Sequence, residues 1–166
     1  MNMSSRMYCG YARFRKILLG SALLAVFDFA FAAFTMTETV TPSLGVVFSG
    51  ASGRNFILNT DETVTGADAA DYLFGAVSGQ LSLVKTQGAV NVNIVAENII
   101  PTGGVTVNAV PCRFHNDPQT TCDGAGINVR TNRTRILYVG VNITTSQDHS
   151  GGDTASVTYD INVIFL

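Results

Sequence analysis

Apolar and polar side chains alternate at every second position along much of this chain, which is the period of a β-strand and not of a helix. The C-terminal stretch shows the pattern most clearly. Its apolar face comprises Ala155, Val157, Tyr159, Ile161, Val163 and Phe165. The opposite face is polar from residue 156 to residue 162 and becomes apolar at Ile164 and Leu166. We therefore predict a strand that covers a core with one face and whose last residues are buried on both faces.

Shorter runs of the same kind occur elsewhere, and each ends at Gly, Pro, Asn or Ser residues that favour turns. They cover residues 81–85, 90–96, 105–110 and 136–143. The N-terminal third predicts an extended segment over 34–41, ended by Pro42, and two short strands over 44–48 and 56–58. Residues 67–74 favour a short helix or an ordered loop. No repeat or linker divides the chain, so the pattern predicts one all-β domain, an antiparallel β-sandwich.

The first 32 residues predict a secretory signal peptide. Basic residues without an acidic one come first, an apolar run over 17–31 follows, and Ala30-Phe31-Ala32 supplies the small-x-small triplet that signal peptidase cleaves. A permanent membrane anchor is the alternative, and it is disfavoured because Asp28 would place a charge inside a short apolar run. We therefore predict cleavage after Ala32, a mature domain over 33–166 without a membrane span, and an extracytoplasmic location in a bacterium: the periplasm, the cell surface or the medium.

The net charge becomes more negative once the leader is removed. The leader holds four of the ten basic residues and one of the twelve acidic ones, which leaves six basic and eleven acidic residues in 33–166. A nucleic-acid partner would need a basic stripe, and only Arg130, Arg133 and Arg135 come close together in sequence. We interpret these arginines as a solvated strand and turn, and we expect no nucleic-acid partner.

Cysteine chemistry favours a disulfide bond. Cys9 leaves with the leader, so Cys112 and Cys122 remain as an even pair in an oxidising compartment. A metal site that uses both thiols with His115 is the alternative, but no second cysteine or histidine pair completes four ligands. We predict a Cys112–Cys122 disulfide and no metal ligands.

The sequence contains no arrangement that indicates catalysis. It has no G-x-S-x-G nucleophile elbow, and His115 and His149 fall in predicted loops. Paired carboxylates at 61–62, 68 and 71 lack the spacing of an EF-hand, although a structural Ca²⁺ site between residues 59 and 71 remains an alternative. We therefore expect a protein that is not an enzyme, has no catalytic residues and carries no cofactor.

Four short motifs resemble a bacterial family known as domain of unknown function 4402. They are an early Gly-apolar-Phe strand over 45–53, Val-Thr-Gly over 64–66, Val-Ser-Gly over 77–79, and a final Gly-rich turn and Tyr-containing strand over 150–159. The resemblance implies a secreted immunoglobulin-like or fimbrial β-sandwich near the cell surface, without established enzymatic activity. It offers no active-site residues.

A more distant resemblance links the C-terminus to chaperone-usher pilins. Those subunits end in an alternating strand with a penultimate aromatic residue and carry a glycine upstream; here Phe165 is penultimate, and Gly151 and Gly152 lie near that upstream position. The chain departs from the pilin pattern in having Phe where Tyr is usual and in placing its cysteines in the middle. The resemblance implies self-association or pilus-like partner subunits, together with a periplasmic chaperone.

These observations predict a secreted or cell-surface structural protein, a pilus-like or adhesive subunit that assembles by β-strand addition. The candidate segments for exchange are the two alternating termini, over 34–41 and 155–166, and the alternative for each is that it pairs within its own domain as an ordinary edge or central strand. The candidate residues are Phe34, Met36, Val40, Val157, Tyr159, Ile161, Val163 and Phe165. The alternatives are a monomeric binding module that presents loops such as 112–122 to a glycan or protein, and, least favoured, a hydrolase built from scattered residues.

Overall fold

The computed structural model describes residues 34–47, 50–85 and 88–166, so the predicted leader lies outside the described residues. The regular secondary structure of the described chain is β-strand, apart from one 3-10 turn at Ala69–Asp71. The strands are β1 (Phe34–Val40), β2 (Val46–Val47), β3 (Asn55–Leu58), β4 (Val64–Thr65), β5 (Tyr72–Phe74), β6 (Gly79–Lys85), β7 (Val90–Thr102), β8 (Val105–Ala109), β9 (Pro111–Phe114), β10 (Thr120–Thr121), β11 (Ile127–Thr131), β12 (Arg135–Val139), β13 (Val141–Thr145) and β14 (Ser156–Phe165). No helix in this part of the chain is long and apolar enough to cross a membrane.

The strands form four antiparallel sheets. One has the order β1-β6-β12-β9-β10, the second β11-β7-β14, the third β4-β3-β13-β8, and a two-stranded ribbon pairs β2 with β5. Buried apolar side chains from the three larger sheets form one core cluster, which includes Leu83 of β6, Ile94 of β7 and Phe56 of β3. The predicted class, an all-β antiparallel sandwich, is confirmed.

Gly140 divides the strand that the sequence predicts over 136–143. β12 and β13 are consecutive, yet β12 pairs with β6 and β9, whereas β13 pairs with β3 and β8. The Gly140 N–H donates to the Pro111 carbonyl at 2.7 Å. A Cβ at this position would overlap the Leu58 carbonyl oxygen. The glycine therefore lets one continuous apolar run pass from one sheet to the next.

β7 is longer than its alternation predicts. The predicted strand ends at residue 96, whereas β7 continues to Thr102 and pairs with β14 along its length. The pattern is interrupted because Asn98, with a positive φ of 51°, forms part of a bulge opposite Tyr159. The Asn98 side-chain amide donates to the Asp160 carboxylate at 2.7 Å, which holds the bulge in place.

Other differences concern short elements and the chain end. The segment 67–74 contains the 3-10 turn and then β5, and the strands β4, β5, β9, β10 and β11 have no separate prediction. The expected burial of the last residues on both faces is wrong, since Ile164, Phe165 and Leu166 are 50, 54 and 70% exposed. β14 is an edge strand of its three-stranded sheet.

Candidate functional site

β1, the first candidate exchange segment, is an edge strand. It pairs only with β6 among the described strands, in a register that places Phe34 opposite Lys85 and Met36 opposite Leu83. Met36 is buried in the core, and Thr35, Thr37 and Thr39 are exposed. For Phe34 only the backbone position is described. The predicted separation of an apolar and a threonine face therefore holds at the start of the strand.

A bulge reverses the faces near the end of β1. Glu38 lies opposite Leu81, a core residue, but Val40 lies opposite the next residue along β6, Gln80. Directly opposed residues share a face, so Glu38 is placed on the core side and Val40 on the outer side. Val40 and Met36 therefore do not lie on the same face, although the sequence predicts that they do. Alternation in sequence does not reveal a bulge.

β14 holds the other candidate residues. Val157, Tyr159 and Ile161 are buried in the core, Val163 packs partly against it, and Phe165 is exposed. β14 pairs with β7 and has no described neighbour on its other side. The structure thus places the C-terminal candidates on an edge strand whose core face is filled by its own domain.

β1 and β14 belong to different sheets, and a charge on β1 acts on a buried hydroxyl of β14. Burial raises the pKa of the Tyr159 hydroxyl above its ordinary value, and the negative charge of Glu38 raises it further. Glu38 comes from β1 and Tyr159 from β14, so the charge of one predicted segment acts on a buried group of the other. The alternation predicts neither this interaction nor the role of Glu38, although its position between Met36 and Val40 marks it as an unusual residue for an apolar face.

The chain after β1 is fixed independently of β1. The Ser43 N–H donates to the Val77 carbonyl at 2.8 Å, and the Val77 N–H donates back to Ser43 at 2.7 Å. Leu44 is buried in the core, and a Cβ at Gly79 would overlap the ring of Pro42. The segment 42–44 therefore anchors the base of β1.

The predicted disulfide is present and lies in the core. Cys112 of β9 and Cys122, which follows β10, are bonded with their Cα atoms 5.7 Å apart, and both side chains are fully buried. Between them, the Gln119 side-chain oxygen accepts from the N–H and hydroxyl of Thr60 at 2.8 and 2.7 Å. The loop 112–122 is therefore held against the β3–β4 turn.

The carboxylates considered for a Ca²⁺ site have other partners. Asp61 accepts from the Thr63 hydroxyl and N–H, which lowers its pKa below the usual value, the hydroxyl contributing most. Asp68 and Asp71 both form ion pairs with Arg54. The described residues contain no group of three or more His, Cys, Asp or Glu side chains that could hold a metal ion.

Each histidine also has a structural contact. The His115 Nε2 lies 2.8 Å from Nη1 of Arg135, which donates to it, and the His149 Nε2 lies 3.2 Å from the Gly104 carbonyl oxygen. The two residues are in separate loops, at positions 115 and 149. Neither contact joins a histidine to a serine or cysteine nucleophile.

A cavity of about 370 Å³ opens at the end of the sandwich near His149. Apolar side chains provide most of its lining, to which the turn 149–155 and Thr145 also contribute. The apolar lining residues are Leu44, Val46, Val47, Phe56, Val105, Ile143 and Ala155. This volume falls within the range of small-molecule sites.

The comparisons with known proteins give no relative. No family model, no curated protein and no solved structure matches the chain.

Proposed function

We propose that this protein is an exported structural subunit, in the periplasm or at the cell surface, that assembles when copies exchange β1. The observation that carries the proposal is the placement of β1, an edge strand that pairs with β6 alone among the described strands and is anchored at its base by 42–44. A strand in this position can leave its own sheet while the rest of the sheet keeps its pairing.

The exchange is self-complementary because donor and acceptor come from the same sequence. A β1 strand from a neighbouring copy would place its Met36 opposite Leu83 and its Glu38 near Tyr159, as the chain's own strand does. The free energy of exchange is therefore small and depends on protein concentration. If each copy donates to the next without reciprocal return, the contact is heterologous and extends into a filament.

Export and the sequence resemblances support the same proposal. The disulfide is compatible with an oxidising compartment, and the motifs at 45–53, 64–66, 77–79 and 150–159 resemble a family of secreted sandwiches. A periplasmic chaperone is the expected partner before assembly, since a displaced β1 exposes the edge of β6.

Cysteine pairing across β1 and β6 tests the exchange. Thr37 lies directly opposite Ser82, so Thr37→Cys and Ser82→Cys in one chain should form an internal disulfide that locks β1 in place. The locked chain should stay monomeric, and reduction should restore assembly. When chains with only Thr37→Cys are mixed with chains with only Ser82→Cys, we expect disulfide-linked dimers on a non-reducing gel.

A matched control uses a strand pair that exchange does not separate. Thr106 of β8 lies opposite Thr144 of β13, and mixing Thr106→Cys chains with Thr144→Cys chains should give no linked dimers. A chain without residues 34–41 should bind a peptide of that sequence. Absence of linked dimers at every protein concentration, with the intact chain monomeric throughout, would disprove the proposal.

The cavity favours a second candidate function, a monomeric binding module. Its lining is mostly apolar and, among the described residues, includes the phenyl ring of Phe56, so it suits an apolar group better than a sugar ring. If the exchange test fails, a gain in thermal stability with short-chain apolar ligands, lost in Ile143→Trp, would support this function. The loop 112–122 is a weaker binding surface because Gln119 already holds it to Thr60.

A further inference from the structure

One end of the sandwich combines exposed arginines with exposed apolar side chains. Thr131 ends β11, Arg135 begins β12, and the turn 132–134 joins them. β14 ends beside them: Arg130 lies opposite Asn91 of β7, and the Leu166 N–H donates to the carbonyl of the same Asn91 at 3.1 Å. Arg130 and Leu166 are thus two strand spacings apart, about 10 Å. We name this end the basic tip and define it as Arg130, Arg133, Arg135, Ile164, Phe165 and Leu166.

The arginines of the basic tip form no salt bridge with a described residue. No described carboxylate lies within ion-pair distance of Arg130, Arg133 or Arg135, whereas Arg54, far from the tip along the chain, pairs with both Asp68 and Asp71. Arg130 and Arg133 are exposed, and Arg135 donates to His115. In a mature chain with an excess of acidic residues, half of the six basic residues are therefore gathered at one end.

Apolar side chains share the outer face at the tip. Ile164 lies opposite Asn93, which is bonded to Asn128 of β11, and the Ile164 side chain is 50% exposed. Leu166, the next residue on that face of β14, is 70% exposed. A row of arginine, asparagine and aliphatic side chains therefore crosses the three-stranded sheet.

The chain enters the fold at the same end. Phe34 lies opposite Lys85, two residues along β6 from Leu83, which pairs with Arg135 of β12. The apolar run 17–33 directly precedes Phe34. A membrane that holds this run before the predicted cleavage therefore lies next to the basic tip.

From this placement we propose that the basic tip docks on the surface of a bilayer that contains anionic lipids. Arg130 and Arg133 would contact lipid phosphates, while Ile164 and Leu166 enter the boundary between headgroups and acyl chains. A soluble polyanion would bind the arginines but gives no role to the aliphatic residues. A bilayer offers both environments at the spacing that the sheet presents.

Vesicle sedimentation of the exported, processed protein tests the proposal. We expect binding to vesicles with phosphatidylglycerol, little binding to vesicles of phosphatidylcholine alone, and loss of binding as salt is raised. Arg130→Gln with Arg133→Gln should weaken partition about fivefold per arginine, and the corresponding double lysine variant should keep most of it. Ile164→Ser with Leu166→Ser should also weaken binding.

Ile100→Ser is the matched apolar control. Ile100 is 57% exposed on β7 but lies opposite Thr158, far along β14 from the tip, so its replacement should leave partition unchanged. Unchanged circular dichroism in every variant shows that the fold is intact.

The proposal is overturned if the protein does not bind anionic vesicles at low salt, or if the double glutamine variant binds them as well as the parent. Equal binding by the Ile164→Ser/Leu166→Ser variant, with competition by a soluble sulfated polysaccharide, would assign the tip to polyanions instead.

Discussion

At the scale of single residues, Tyr159 makes the stability of the fold depend on pH in the alkaline range. Its hydroxyl is buried on the core face of β14, and both burial and the Glu38 charge raise its pKa above the ordinary value. In the unfolded chain the group ionises near pH 10, at a lower pH than in the folded protein. Unfolding therefore releases a proton above about pH 10, and the stability present below that pH is lost as pH rises.

We predict that urea unfolding midpoints of the mature protein fall between about pH 9 and pH 11, and that Tyr159→Phe flattens this decrease. Glu38→Gln should reduce the decrease only in part, because burial is the larger cause of the shift. An equally steep decrease in the Tyr159→Phe variant would show that other groups control alkaline stability.

The disulfide lies deeper in the fold than the sequence predicts. Sequence reasoning places the disulfide around a polar loop, and the structure confirms the bond but sets both sulfurs in the core between β9 and the segment after β10. Cys112 lies opposite Val139 of β12 in the five-stranded sheet. The bond therefore joins a core strand to the loop instead of fastening a loop outside the core.

At the scale of elements, Gly140 controls how β12 becomes β13. A methyl group there meets the Leu58 carbonyl, which cannot move without breaking the pairing of Leu58 with Val141. We predict that Gly140→Ala lowers the free energy of unfolding by about 1–3 kcal/mol, the cost typical of overpacking. Chemical denaturation measures this change.

Gly151→Ala is the control for that substitution. Gly151 has open space where a Cβ would be and no positive φ, so its replacement should change the free energy of unfolding by less than about 0.5 kcal/mol. Comparable losses in the two variants would mean that the passage between sheets does not depend on Gly140.

Alternation predicts elements well where both faces of a strand have constant surroundings. β6, β8 and the buried part of β14 fall close to their predicted bounds, since each has a core face and an outer face throughout. Prediction fails where a bulge or a change of sheet intervenes, as at Glu38, Asn98 and Gly140. These features depend on the partner strand, which the local pattern does not contain.

The candidate site also combines features that the local sequence predicts with features that depend on distant residues. The sequence identifies both terminal segments and the cysteine pair, because alternation and cysteine count are local properties. It does not predict that the charge of Glu38 on β1 acts on Tyr159 of β14, or that 42–44 anchors the base of β1. Those contacts join residues that are distant in sequence.

At the scale of the whole molecule, we expect processing to determine whether β1 is free to exchange. β1 begins at Phe34, so cleavage after Ala32 leaves a single residue before it, whereas an uncleaved chain keeps the apolar run attached to the strand. A strand tied to a membrane at its start cannot pass into a neighbouring copy, since its first residue is held while 42–44 holds its base.

We predict that the exported protein begins at Ala33, which N-terminal sequencing or intact mass measures directly. Replacing Ala32 with a large residue, as in Ala32→Phe, should block cleavage because signal peptidase requires a small side chain there. The uncleaved chain should remain membrane-bound and should give no linked dimers in the Thr37→Cys and Ser82→Cys mixture. Ala33→Ser changes the neighbouring position conservatively and should leave both cleavage and dimer formation intact. Exported protein that still begins at Met1, yet exchanges β1, would contradict both the signal peptide and the dependence of exchange on its removal.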